Sequence, residues 1–207
     1  MIAIIDYGVG NLFSLRSSLA AIGAETVVTG DPETIRRSDK LILPGVGAFG
    51  DAAELLRRDG LDQLICEETG RGKPLLGVCL GMQLLFDHSL EYGRHQGLGL
   101  IPGSVRPIRD VIPPGYKIPH IGWNALRFPA GKPVSPLFRY IREEECVYFV
   151  HSFYASECGG SVIATAEYGA ELTAAAARDN VYGVQFHPEK SGKVGLNILR
   201  AFCDTLS

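Results

Sequence analysis

The sequence has no strong charge imbalance: its 207 residues carry 20 Lys and Arg against 23 Asp and Glu, a net charge of −3. So small an excess leaves no basic footprint for a nucleic-acid backbone. No apolar run reaches the ~18 residues a membrane span requires. The apolar residues 1–5 meet Asp6 with no basic residue before them, unlike a secretory signal, so the cytoplasm is the expected compartment. No C-x-x-C pair occurs, and the five cysteines (Cys66, Cys79, Cys146, Cys158, Cys203) are odd in number, which argues against a disulfide framework and against a zinc site. Nor do any histidines pair at metal-ligand spacing. With no internal repeat, low-complexity tract or linker, the expectation is one domain over residues 1–207. Apolar residues at 46% and charged residues at 21% suit a globular chain that buries roughly 70% of its unfolded surface, and exclude intrinsic disorder.

The first half alternates short apolar runs with helical patterns. Residues 2–5 read as a strand, and Leu12, Leu15, Leu19 and Ile22 recur at helical spacing before Gly23, a helix stop. The pattern repeats with strands at 26–29, 41–43 and 75–78, an Asp31-Pro32 helix start, a glycine-rich loop over 45–50 and helical text to about Gly70. Successive β-α units predict an α/β fold with a parallel sheet covered by helices on both faces. Beyond Gly93, short strand-like pieces at 118–121, 147–154, 161–165, 172–177 and 181–186 predict antiparallel additions. Asp179-Asn180 is placed as a hairpin turn, and a last helix starts at Ser191 and runs through Leu196, Leu199 and Phe202.

Gly77-Val78-Cys79-Leu80-Gly81 follows an apolar strand and precedes the helical-looking residues 82–86. A cysteine in such a strand-to-helix turn sits at a helix N-terminus, whose partial positive charge favours thiolate over a free thiol of pKa about 8.5. The Leu80 amide is then placed to meet an oxyanion. Against this stands the ordinary fate of cysteine as a small buried apolar residue, the expected one for the other four. Phe186-His187-Pro188-Glu189 ends the last strand. Proline holds His187 extended, so His187 and Glu189 project to one side. His187 can then act as base to Cys79 with Glu189 orienting it. Both pieces fall past strand ends, where open α/β sheets place their sites.

Other features carry less. His88 and His95 lie in polar text and are expected to be solvated, while His120 and His151 lie in strand-like runs and are expected to be packed or hydrogen-bonded. In Leu43-Pro44-Gly45-Val46-Gly47, the glycines can let the Val46 amide turn toward an oxyanion. Gly8-Val9-Gly10 starts like a dinucleotide fingerprint, but Phe13 stands at the third glycine position, so nucleotide binding is discounted.

Together these motifs, with Asp6-Tyr7-Gly8-Val9-Gly10-Asn11-Leu12, Pro119-His120-Ile121-Gly122-Trp123-Asn124 and Lys190-Ser191, resemble the class I glutamine amidotransferases nearly end to end. Gly-Trp-Asn and Glu-Lys-Ser resemble in particular the glutaminase subunits of imidazole glycerol phosphate synthase from histidine biosynthesis. The resemblance implies a flavodoxin-like three-layer α/β/α fold with antiparallel strands added in the second half. It implies that Cys79 attacks the glutamine amide to form a γ-glutamyl thioester, with Gly47, Gln83 and Glu91 holding the substrate. A carboxylate at Glu91 suits a substrate ammonium. Ammonia would pass to a cyclase subunit that makes imidazole glycerol phosphate and aminoimidazole carboxamide ribotide. Asn11, His120, Trp123 and Lys190 would face that partner, Trp123 and Lys190 as a cation-π pair. No cofactor, metal, nucleic acid or membrane is implied. Two departures are Phe153, where a tyrosine is more usual, and Arg94-His95-Gln96, to which no role is assigned. The competing readings are the glutaminase of pyridoxal phosphate synthase, a cysteine peptidase-like hydrolase on a similar sheet, and a non-catalytic binding module.

Overall fold

A computed structural model describes residues 1–205. In chain order the elements are β1 (Ile2–Ile5), α1 (Leu12–Ala21), β2 (Thr26–Thr29), α2 (Pro32–Arg37), β3 (Lys40–Leu43), α3 (Phe49–Arg58), α4 (Leu61–Gly70), β4 (Leu75–Val78), α5 (Leu80–Leu84), β5 (His88–Ser89), β6 (His95–Gln96), β7 (Ser104–Pro107), β8 (His120–Ala125), β9 (Cys146–His151), β10 (Phe153–Ser156), β11 (Val162–Glu167), β12 (Glu171–Arg178), β13 (Val181–Val184) and α6 (Gly192–Thr205).

The main sheet runs β11-β12-β13-β4-β3-β1-β2. Its β2-β1-β3-β4-β13 portion is parallel, and β12 and β11 extend it antiparallel. The parallel part is the flavodoxin-like strand order. The strands are apolar throughout because both faces are covered. Ala3, Ile5, Leu41, Leu43 and Leu75 pack toward α2, α3 and α4, while Ile2, Ile4, Ile42, Leu76 and Val78 pack toward α1 and α6. That alternation along each strand separates two cores and makes three layers. Two small sheets, β10-β7-β5-β6 and β8-β9, rise beside the carboxyl ends of the parallel strands.

The local signals act as read at several points. Asp31 caps α2, accepting from the Thr34 N–H at 2.8 Å, with Pro32 in its first turn, and Asp179 makes the β12-β13 turn at φ 54°. Elsewhere the structure differs from the reading. The helical text ending at Gly70 is two helices, broken at Gly60 with φ 69°. Residues 147–154 are two strands in different sheets, since the chain bends at Ser152 and leaves β8 for β7. Residues 82–86 supply only the latter part of a short helix that starts directly after Cys79.

Candidate active site

The site lies where β3, β4 and β13 end. The Cys79 N–H donates to the Val184 carbonyl at 2.8 Å, extending the β4-β13 pairing by one residue. The backbone then turns through φ 56°, ψ −112° and enters α5. A non-glycine residue there stores on the order of 1–3 kcal/mol of strain, which the surrounding packing must hold. Gly81 allows it: a Cβ at that position would lie 1.9 Å from the Leu43 carbonyl oxygen, so only glycine lets α5 close onto the end of β3.

His187 follows β13, with its N–H donating to the Tyr148 carbonyl at 2.9 Å. Its Nδ1 donates to Glu189 Oε1 at 2.8 Å. Because a carboxylate accepts, this contact fixes the proton on Nδ1 and leaves Nε2 to act on Cys79. Burial opposes charge on His187, but the hydrogen bonds and charges of Cys79 and Glu189 outweigh it and lift the imidazole to about 9. The imidazolium is therefore the resting form near neutrality. The Glu189 side chain is 2% exposed, and its Oε2 has no hydrogen-bond partner among the described residues, so no second donor disperses its charge away from His187. The Ser191 hydroxyl secures the turn by accepting from the Tyr148 N–H at 3.0 Å and donating to the His187 carbonyl at 2.7 Å.

A cavity of about 340 Å³ opens beside this pair, and Val46, Gly47, Cys79, Leu80, Gln83, Glu91, His187 and Lys190 line it together with Pro119 and residues 150–153. That size suits an amino acid. Buried Gln83 donates from Nε2 to the Phe153 carbonyl at 3.2 Å and to Gln185 Oε1 at 3.0 Å. Gln185 in turn directs Nε2 at Cys79 Sγ, 3.8 Å away. Sequence reasoning passed over Gln185, although it is the one polar residue in the run Val181-Tyr182-Gly183-Val184-Gln185-Phe186 and is fully buried. It also passed over Tyr7, whose hydroxyl donates to the Pro44 carbonyl at 2.8 Å. Burial first, then the nearby Cys79, push the Tyr7 phenol above its ordinary value, so it remains a donor to the loop.

The loop's two glycines are not equivalent. A Cβ on Gly45 would meet Gly81 N at 2.7 Å and the Tyr7 hydroxyl at 2.9 Å, whereas Gly47, at φ 97°, has nothing within 4 Å. The peptide that carries the Val46 N–H turns about Gly45 and Val46, and Gly45 has to stay glycine to fit against Gly81 and Tyr7, while Gly47 holds the left-handed backbone that follows.

The four residues assigned to a partner face separate. Trp123 is 56% exposed and Lys190 is also exposed. Asn11 is half-buried and caps α1, accepting from the Ser14 N–H at 3.4 Å. His120 is a correction: it is 1% exposed, turned inward with Nδ1 3.0 Å from His151 Nε2 and Nε2 2.7 Å from Asn124 Oδ1. Burial lowers His120 and takes His151 down to about 4. Trp123 and Lys190 come near each other through Tyr148 rather than as a direct cation-π pair: Lys190 Nζ lies 5.9 Å from the Tyr148 ring centre, and Trp123 packs edge-on to the same ring at 5.9 Å. His88 and His95 are half-buried members of β5 and β6 rather than solvated side chains.

A family model described as "Glutamine amidotransferase class-I" matches residues 3–205. The "Imidazole glycerol phosphate synthase subunit HisH" of Geobacillus sp. (strain WCH70) is 47% identical, with 100% of this chain and 97% of the relative covered. The protein of the same name from Geobacillus thermodenitrificans (strain NG80-2) is 49% identical, with 98% and 94% covered. The chain belongs to the class-I glutamine amidotransferase family. Its fold matches the solved "Structure of PurLQS from Thermotoga maritima" with a TM-score of 0.77 at 19% identity, covering 100% of this chain and 98% of that one.

A glutamine amidotransferase has to cut a primary amide whose neighbour is an amino acid's charged end. The cavity brings Cys79 and His187 together with Val46, Leu80 and Glu91 along its lining. Among the described residues no cluster of His, Cys, Asp and Glu could hold a metal ion, and no helix is long and apolar enough to cross a membrane.

Proposed function

We propose that the chain is the glutaminase subunit of an imidazole glycerol phosphate synthase, working in histidine biosynthesis in the cytoplasm and delivering ammonia to a cyclase subunit. One observation carries the chemical part: Cys79, strained at the head of α5, lines the same cavity as a buried His187 that Glu189 orients. The Glu91 carboxylate receives the α-ammonium of glutamine, and Gln83 and Gly47 complete its seat. Cys79 sulfur attacks the side-chain carbonyl carbon, and the oxygen becomes an oxyanion that accepts from the Leu80 N–H and, once the loop is set, from the Val46 N–H. His187 gives its proton to the amide nitrogen, the C–N bond breaks, and ammonia leaves the γ-glutamyl thioester. Water then attacks the thioester carbon while His187 takes its proton. The C–S bond breaks, glutamate leaves and the thiolate–imidazolium pair is restored.

Trp123, Tyr148 and Lys190 form an aromatic-cationic cluster at the cavity mouth, and this is the face offered to the cyclase. Docking there sets the Val46 amide by turning the Gly45–Val46 peptide, so that an unaccompanied subunit does not waste glutamine. One oxyanion donor is worth about 2.7–4 kcal/mol, roughly a hundredfold to a thousandfold in rate. The test is steady-state glutamine hydrolysis by the chain alone and with the cyclase and its ribonucleotide substrate. The proposal expects stimulation mainly in kcat. Equal rates alone and in the complex would remove the gating, and no glutamine hydrolysis in either state would remove the function.

A further inference from the structure

Residues 88–96 form the hairpin of β5 and β6, and its tip carries Glu91 into the cavity. The tip is strained, with Tyr92 at φ 52° while its ring lies 90% exposed. So exposed a side chain does little to hold the turn in shape, and the fastening has to come from elsewhere. Beside the β5-β7 pairing and the Glu91 N–H donating to Ser89 Oγ at 3.1 Å, three contacts tie the hairpin to α3. Glu91 Oε2 accepts from the Phe49 N–H at 2.7 Å. Phe49 is the first residue of α3, and Ala48 before it makes no side-chain cap, so the hairpin's carboxylate serves an orphan donor of that helix. The Arg57 guanidinium donates to the Gln96 carbonyl. The His95 ring lies on Gly50: a Cβ there would sit 2.8 Å from Cε1, 2.9 Å from Nδ1 and 3.1 Å from Nε2. Three ring atoms at nearly one distance mean that the face of the ring, rather than its edge, covers the Gly50 Cα.

We propose that His95 is a positioning residue for glutamine hydrolysis: stacked on Gly50, it locks the hairpin to the start of α3 and so sets where Glu91 meets the substrate ammonium. The inference rests on the assignment of Glu91 to that ammonium. With Oε2 committed to Phe49, the carboxylate has one defined place relative to α3, and α3 begins directly after the loop that carries Val46. Substrate anchor and oxyanion loop therefore share one helix start. Without the stack, the remaining ties to α3 are one hydrogen bond at the strained tip and one at a surface arginine, and the hairpin is otherwise held only along β5, which pairs with β7 and whose next residue, Leu90, donates to the Val105 carbonyl at 2.9 Å.

The experiment uses the complex with the cyclase and follows glutamine hydrolysis in His95→Ala, His95→Phe, Gly50→Ala, the Gly50→Ala/His95→Ala double variant and Glu91→Gln. His95→Ala raises KM for glutamine about tenfold, a fraction of the ~100-fold that a 1 Å misplacement costs, with a much smaller change in kcat. His95→Phe keeps a flat ring and restores most of the loss. Gly50→Ala displaces the ring and matches His95→Ala, yet adds nothing in the double variant, where the space is empty. Inactivation by a glutamine-analogue diazoketone slows in step with KM. Alkylation of Cys79 by iodoacetamide, which has no ammonium, keeps its wild-type rate. A folded His95→Ala protein with wild-type KM and wild-type analogue inactivation overturns the inference, as does Gly50→Ala being equally harmful with and without His95. If Glu91→Gln leaves KM unchanged, the ammonium assignment itself falls; if Glu91→Gln raises KM and His95→Ala does not, only the His95 inference falls.

Discussion

Replacing Gly195 by alanine sets a general rule against a specific contact. Gly195 lies in the first turns of α6, and on helix propensity alone Ala should stabilise that position by about 1 kcal/mol. A Cβ there would fall 1.9 Å from the Pro188 carbonyl oxygen and 2.7 Å from its carbon. Carbon and oxygen do not approach closer than about 3.3 Å, so roughly 1.4 Å of separation has to open. Overpacking of this kind costs about 1–3 kcal/mol, which exceeds the propensity gain, and the net effect is destabilisation by about 1 kcal/mol. The displaced carbonyl belongs to the residue between His187 and Glu189 and accepts from the Ser191 N–H at 3.1 Å. A shift near 1 Å there lowers kcat for glutamine by about a hundredfold. Urea unfolding and glutamine hydrolysis by the complex measure both effects, with Gly70→Ala as control, because a Cβ at Gly70 meets nothing within 4 Å. A Gly195→Ala protein more stable than wild type by about 1 kcal/mol and fully active would refute the reasoning.

Cys79→Ala and Cys79→Ser should lose glutamine hydrolysis by several orders of magnitude while keeping wild-type circular dichroism, because nucleophile and base act as a unit; His187→Ala should be nearly as damaging and Glu189→Ala less so. His187 is raised from 6.5 to about 9, so its protonated form contributes stability that is complete below about pH 6.5 and is lost as pH rises through about 9. Glu189→Gln should lower the His187 midpoint in NMR titration and flatten that fall in urea stability between pH 6.5 and 9; an unmoved midpoint would contradict the role given to Glu189. Gln185→Leu leaves the buried Gln83 amide short of an acceptor and should cost about 1–3 kcal/mol of stability, together with activity, read by urea unfolding and hydrolysis. Trp123→Ala should weaken cyclase binding in calorimetry or uncouple glutamine hydrolysis from the cyclase reaction, and unchanged binding with unchanged coupling would exclude Trp123 from the interface.

The parallel core was legible because its strands are buried on both faces. Residues 2–5, 41–43 and 75–78 read as unbroken apolar runs, and such runs leave little ambiguity about where the chain turns. Cys79 and His187 were legible because glycine and proline mark the turns that hold them. Residues 88–96 were not, since two-residue strands show no period, and their place depends on α3, far away in sequence. Ser152 gives no sign that the strand run around it changes sheets. His120 alternates correctly within β8 yet faces His151 rather than a partner, a choice made by the β8-β9 pairing. The glycines at 50, 81 and 195 look alike in sequence. What separates them is the atom each would strike with a side chain, and only the packed structure supplies it.

The central claim is that Cys79, and no other of the five cysteines, carries the γ-glutamyl group. Acid quenching of the complex during glutamine turnover, followed by mass spectrometry of its cysteine peptides, tests this directly. The account predicts a hydroxylamine-labile γ-glutamyl adduct on the peptide containing Cys79, formed by wild type and not by His187→Ala. Glutamate production with no adduct on Cys79, or with the adduct on Cys66, Cys146, Cys158 or Cys203, would contradict it.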